Sequence, residues 1–345
     1  MTLRAVLAPI LVALLAGCDT LAYYKQAIGG HMEIMAAARP VEAWLADPAT
    51  PALLRQRLEE ARRIRRFASR ELGLPDNRSY TAYAELGRPF VVWNVFAAPE
   101  LSVEPKQACF PITGCVSYRG FFSEEDARRE AAKLKAEGYD VHVGGVPAYS
   151  TLGWFDDPLL STFIRYPEAQ LARLIFHELA HQLVYSRDDT TFNESFAVVV
   201  EEEGVRRWLE SSGRTQELDA FLAGQKRRQQ FADKVKETRM RLAALYKSDL
   251  PREAKLERKA EEFDRLRAEY PKAVPAAPSN AFLVSIALYT ELVPALQQVL
   301  RESGSLGAFY ERARELARSG KKLKPPGPVA AISQSSPGPS SALPR

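Results

Sequence analysis

From Glu168 to Ser186 the chain reads EAQLARLIFHELAHQLVYS, and this stretch limits the fold more than any other. Leu174, Ile175, Leu179, Ala180, Leu183 and Val184 make most of the positions around its centre apolar, which is the pattern of a buried helix. Yet His177, Glu178 and His181 sit in the middle of it. Without partners, three such groups are expensive to remove from water. Two histidines four residues apart lie on one helix face about a turn apart, so both imidazoles reach a single ion. A bound metal removes the penalty that burial imposes. Glu178 neighbours the first histidine around the helix. In a zinc site a carboxylate there serves the chemistry: zinc acidifies water, and the carboxylate accepts its proton and later delivers it to a leaving amine.

A hydrolytic zinc site needs a third protein ligand and an open fourth position. Asp188, Asp189, Glu194 and the cluster Glu201 to Glu203 all follow closely. The segment YSRDDTT reads as a turn, in which Asp188 and Asp189 serve the turn itself. NESFAVVVEEEGVRRWLESSG reads as the next helix, capped by Thr191 or Asn193, with Glu194 in its first turn. A short turn folds this helix back antiparallel and brings Glu194, thirteen residues after His181, to the metal. Glu201, seven residues further on the same face, is placed to accept a hydrogen bond from a ligand imidazole.

The N-terminus is a targeting segment. In MTLRAVLAPILVALLAGC one Arg precedes an apolar run from Ala5 to Ala16, too short to span a bilayer as a stable anchor. Leu15-Ala16-Gly17-Cys18 looks like a bacterial lipobox, which implies cleavage before Cys18 and lipid on that residue. Acyl chains hold a protein at a membrane surface without a transmembrane helix. The expected location is the cell envelope, with the protein facing the periplasm. Export favours a disulfide between Cys109 and Cys115, which the turn residues Pro111 and Gly114 bring together. With 47 basic and 43 acidic residues the charge is too balanced to argue for nucleic acid.

Elsewhere the pattern is α+β. Residues 23–75 are mostly helical, including PALLRQRLEEARRIRRFASRELG, which stops at Gly73. Residues 80–160 change character. RPFVVWNVFAAP and CVSYRGFF read as strands, SEEDARREAAKLKAEG as a helix capped by Ser123, and YDVHVGGVPAYS as a strand or hairpin. The zinc-site helices occupy 168–212. From 213 to 320 the chain is helical, long and charged, with an interruption near Ser248 to Pro251. Its charged helices suit contacts with a protein partner. NAFLVSIALYTELVPALQQVLRES reads as one buried helix, too interrupted by polar residues and Pro294 for a membrane span. The Pro-, Ser- and Lys-rich stretch 321–345 reads as a disordered tail.

His-Glu-x-x-His followed by Glu on the next helix resembles the gluzincins, the thermolysin-like zinc peptidases. A closer resemblance is to a bacterial family of exported zinc-site proteins classed as aminopeptidases. It is carried by FVVWNVFAAPE, CFPITGCVSYRGFF, VGGVPAYSTLGWFDDPLLSTF, LIFHELAHQLVY and FNESFAVVVEEEGVRRWL, which lie within roughly 23–209. The resemblance implies a thermolysin-like zincin core within a mainly helical chain: a lipoprotein signal at 1–17, one zinc peptidase domain over 18–320, and the tail. It implies one Zn²⁺ held by His177, His181 and Glu194, Glu178 as general base and then acid, and a peptide substrate. The spacing from His181 to Glu194 is shorter than in thermolysin-like enzymes. Such enzymes carry an edge strand upstream of the zinc helix that pairs with substrate backbone, the place held here by VPAYSTLGWFDDP. There Tyr149 and Ser150 are candidate donors to a developing oxyanion, and Asp156 or Asp157 candidate partners of a substrate amine; Arg119 and Tyr185 are further candidates for stabilising the transition state. Two other readings stay open. The chain can be a zinc endopeptidase, or a membrane-tethered binding or scaffold protein whose metal is structural or whose site is degenerate.

Overall fold

The computed structural model describes residues 21–110, 114–320 and 323. The expected signal segment with Cys18, and all of the expected tail except Leu323, lie outside the described residues.

Helix α1 spans residues 21–37. It is followed by β1 (Arg39–Pro40), α2 (Val41–Ala46), α3 (Ala52–Arg70), β2 (Ala82–Ala84) and β3 (Val92–Pro99). Then come β4 (Ala108–Phe110), β5 (Gly114–Val116), β6 (Arg119–Phe121), α4 (Glu124–Ala136), β7 (Tyr139–Val146) and β8 (Leu159–Leu160). The remainder is helical: α5 (Glu168–Leu183), α6 (Thr190–Ser211), α7 (Thr215–Lys247), α8 (Arg252–Glu269), α9 (Asn280–Thr290), α10 (Val293–Ser303) and α11 (Leu306–Ser319).

The main sheet is antiparallel in the order β6-β3-β7, with Val92 opposite Val146 and Pro99 opposite Tyr139. One face packs on α4, whose apolar Ala127, Ala131 and Leu134 meet Trp93, Val95 and Phe121. Ser123 caps α4 by accepting from the Asp126 amide, as its sequence predicts. On the other face Phe96 and Ala98 meet Ala281, Val284 and Leu288 of α9. The small sheet β1-β2-β8 joins the N-terminal helices to the segment that leads into α5. The largest core runs through α3, α5, α6, α10 and α11, with Phe163, Phe176, Phe196 and Phe309 fully buried.

Three local expectations are corrected. CVSYRGFF is two strands: β5 pairs with β4 in a hairpin closed by the Cys109–Cys115 disulfide, and only β6 joins the main sheet. The apolar stretch 280–303 is two helices, because Pro294 begins α10 after a break at 291–292. By length and composition that stretch is apolar enough to cross a membrane, but α9 is packed between α6 and the sheet. Helix α6 begins at Thr190, earlier than expected. Asp189 caps it by accepting from the Phe192 amide, which puts Glu194 in the second turn.

Candidate metal centre

Helices α5 and α6 form an antiparallel hairpin held closely at both ends. Away from the turn Gly204 lets the Phe176 and Leu72 side chains pack against α6, since a Cβ there would lie 2.7 Å from the Phe176 ring and 2.9 Å from Leu72. At the turn, Asn193 accepts from the Ser186 amide and donates to the Ser186 carbonyl. Asp188, at φ +64°, accepts from the Cys115 amide, so the disulfide hairpin docks on this turn.

The hairpin brings His177, His181 and Glu194 together, all buried. His177 Nε2 and His181 Nε2 are 3.2 Å apart; Glu194 Oε2 lies 3.3 Å from the first and 3.6 Å from the second. A tetrahedral zinc site with bonds of ~2.0–2.1 Å has ligand–ligand edges of roughly 3.3–3.4 Å. Three lone-pair atoms on such edges fit one divalent ion with its fourth position open. Glu201 Oε2 lies 2.8 Å from His177 Nδ1, which places the proton on Nδ1 and frees Nε2 for a metal. Glu201 thus takes the position its spacing predicts. His181 Nδ1 is buried and has no hydrogen-bond partner among the described residues.

Without an ion these groups share protons. Burial works against a charged His177, yet hydrogen bonds to Glu194 and Glu201 outweigh it and raise its pKa to about 10. Burial works against an ionised Glu194, and here the bond to His177 and the charge of His181 win, holding it at about 2. The cluster therefore has the charge pattern that a cation neutralises. Glu178 is also buried, which pushes its carboxyl up, and the carboxylates of Glu194 and Glu201 push the same way against the two histidines. A base raised towards neutrality suits reversible proton transfer.

These groups open on a cleft of about 570 Å³. Its walls include Tyr118, Tyr185 and Tyr289, the end of β7 and residues Ala148 to Leu152, and Tyr23 and Tyr24 from α1. The Tyr289 ring stacks near the His177 imidazole, with centroids 6.2 Å apart. Burial, then the charge of Glu194, keeps the Tyr118 and Tyr289 hydroxyls protonated and able to donate.

The other candidates fall differently. Tyr149 and Ser150 line the cleft, but the Tyr149 hydroxyl is hydrogen-bonded to His31 Nδ1 at 2.7 Å and Ser150 Oγ accepts from the Leu152 amide. Asp156 pairs with Arg78 at 3.4 Å, away from the cleft lining. Asp157 is buried, accepts from Thr151 and Gln182, and ties the loop to α5; burial raises its carboxyl to about 6. Arg119 pairs with Glu130 and stacks on Tyr23, outside the cleft, whereas Tyr185 lines it. Sequence reasoning passed over His31, Tyr118 and Tyr289. Tyr289 lies in a run that also carries the hydroxyls of Ser285 and Thr290, so nothing singles it out, and Tyr118 and His31 give no signal either.

A family model described as "Putative aminopeptidase" matches residues 22–325 of the chain. No curated protein and no solved structure matches it.

Proposed function

We propose that this chain, which belongs to the "Putative aminopeptidase" family, is a zinc-dependent peptidase that cleaves peptide bonds next to a free N-terminus. The observation that carries the reading is the triangle of His177, His181 and Glu194 with buried Glu178 beside it. His177 and His181 from α5 and Glu194 from α6 would hold the ion. When bound, zinc polarises a carbonyl and acidifies water. Glu178 takes the proton from the attacking water and passes it to the departing amine. Tyr289, protonated and next to His177, donates to the oxygen on which charge develops. The end of β7, an edge strand whose Val146 lines the cleft, offers backbone to an extended peptide. We also propose that Cys18 carries lipid and holds the enzyme at the envelope membrane, a placement with which the Cys109–Cys115 bond is consistent.

The test is Glu178→Gln. It should retain stoichiometric zinc and lose about 10²–10⁴ in kcat; wild-type protein that fails to bind zinc, or a variant that turns over as before, sinks the reading. A second reading, an endopeptidase, draws on one observation: Asp156 and Asp157 are committed elsewhere, so neither awaits a substrate amine. Matched free-amine and N-acetylated peptides separate the two, since only an endopeptidase cuts both equally.

A further inference from the structure

A second cavity of about 340 Å³ adjoins the metal centre and shares Val146, Ala148, His177, Glu178 and Tyr289 with the main cleft. Its wall carries two guanidiniums, Arg173 from α5 and Arg228 from α7. Arg173 Nε is buried and has no hydrogen-bond partner among the described residues; it forms a long ion pair with Glu201, whose Oε1 is 3.7 Å away. Arg228 makes no hydrogen bond or ion pair among the described residues, and its head lies 5.9 Å from the Phe221 ring. The carboxylates of the same wall are engaged: Glu201 Oε2 with His177 at 2.8 Å, and Glu202 Oε2 with Gln297 at 3.0 Å. Burial, and next to it the charge of Arg173, lower the Arg228 pKa while the carboxylates of Glu202 and Glu201 act the other way, which places the two guanidiniums within each other's field. A carboxylate bound between them relieves that repulsion and takes up free N–H donors in paired geometry.

We propose that this cavity receives a carboxylate of the substrate on the leaving-amine side of the scissile bond, held by Arg173 and Arg228. The inference rests on the peptidase reading. The carboxylate is either the C-terminus of a short peptide or an acidic side chain.

The test compares three tripeptides: one with a free C-terminus, its C-terminal amide, and an amidated tripeptide with Asp on the leaving side. Wild-type protein should favour an acidic peptide over the neutral amide by about ten- to a hundredfold in kcat/KM. The favoured one of the two acidic peptides names the source. The preference should vanish in Arg228→Gln and return in part in Arg228→Lys. Arg228 is chosen because Arg173 touches Glu201 and, through it, His177. Equal turnover of all three peptides by wild type overturns the inference and leaves the peptidase reading standing; no turnover of any sinks that reading. A binding measurement stands apart from turnover: calorimetry with Glu178→Gln protein should show the free-acid or the Asp peptide binding more tightly than the neutral amide. Equal binding of all three overturns the proposal. If Arg228→Gln fails to fold, the wild-type and Glu178→Gln comparisons still decide.

Discussion

The two histidines of the candidate metal centre are not equivalent. His177 Nδ1 is oriented by Glu201, whereas His181 Nδ1 has no hydrogen-bond partner among the described residues, so only its Nε2, facing His177 and Glu194, is held by a polar contact. Glu201→Gln should therefore weaken zinc binding by about 10–100-fold, measured by competition with a chromogenic chelator. Tyr289→Phe should lower kcat by about 10²–10³ and leave zinc content unchanged, the mark of a donor that acts only in the transition state. Metal affinity should also depend on pH with a defined sign. Because the metal-free cluster holds His177 protonated up to about pH 10, zinc displaces a proton and binds more tightly as pH rises towards that value. An affinity that is flat between pH 6 and 9 would contradict the proton-sharing geometry.

At the scale of elements, the hairpin of α5 and α6 depends on a close approach. Gly204→Ala should destabilise the protein by about 1–3 kcal/mol in denaturant titration, because the new methyl meets Phe176 and Leu72. If Gly204→Ala is neutral or stabilising, the helices have room that the geometry denies. The hairpin also shows what the sequence could and could not reveal. His177, His181, Glu194 and Glu201 are legible because ligand, base and orienting carboxylate obey helical periodicity, which is local. The cap is misread because Asp189 and Asn193 are both good capping residues; the second instead braces Ser186. Tyr289 reaches the cleft because α9 packs on α6, and Tyr118 because the link before β6 is tied to α6 through Ser117 and Thr190, long-range outcomes with no periodic signature. The Asp156 expectation fails to reach the cleft for the same reason: the bend after Gly153 turns that carboxylate towards Arg78.

For the whole molecule, the same ionisable cluster sets how stability responds to pH. In metal-free protein His177 has a folded pKa raised from 6.5 to about 10. Its contribution is fully present below about pH 6.5 and disappears as pH rises through about 10. Glu194, lowered from 4.5 to about 2, contributes above pH 4.5 and loses that contribution as pH falls through about 2. Metal-free protein should accordingly show a melting temperature that declines from pH 7 to 10, and zinc-loaded protein should show little of that decline. Parallel profiles would mean that the cluster does not couple to folding.

All three candidate ligands come from one helical hairpin, with the turn between them tied to a disulfide-closed loop. An ion held by them would bridge neighbouring elements, so withdrawing it should leave the sheet and the α7–α8 pair in place. A chelator then behaves as a local solvent for the hairpin, and the first response is faster hydrogen exchange in α5 and α6. An ion held there would fasten the hairpin mechanically as well as serve the proposed chemistry.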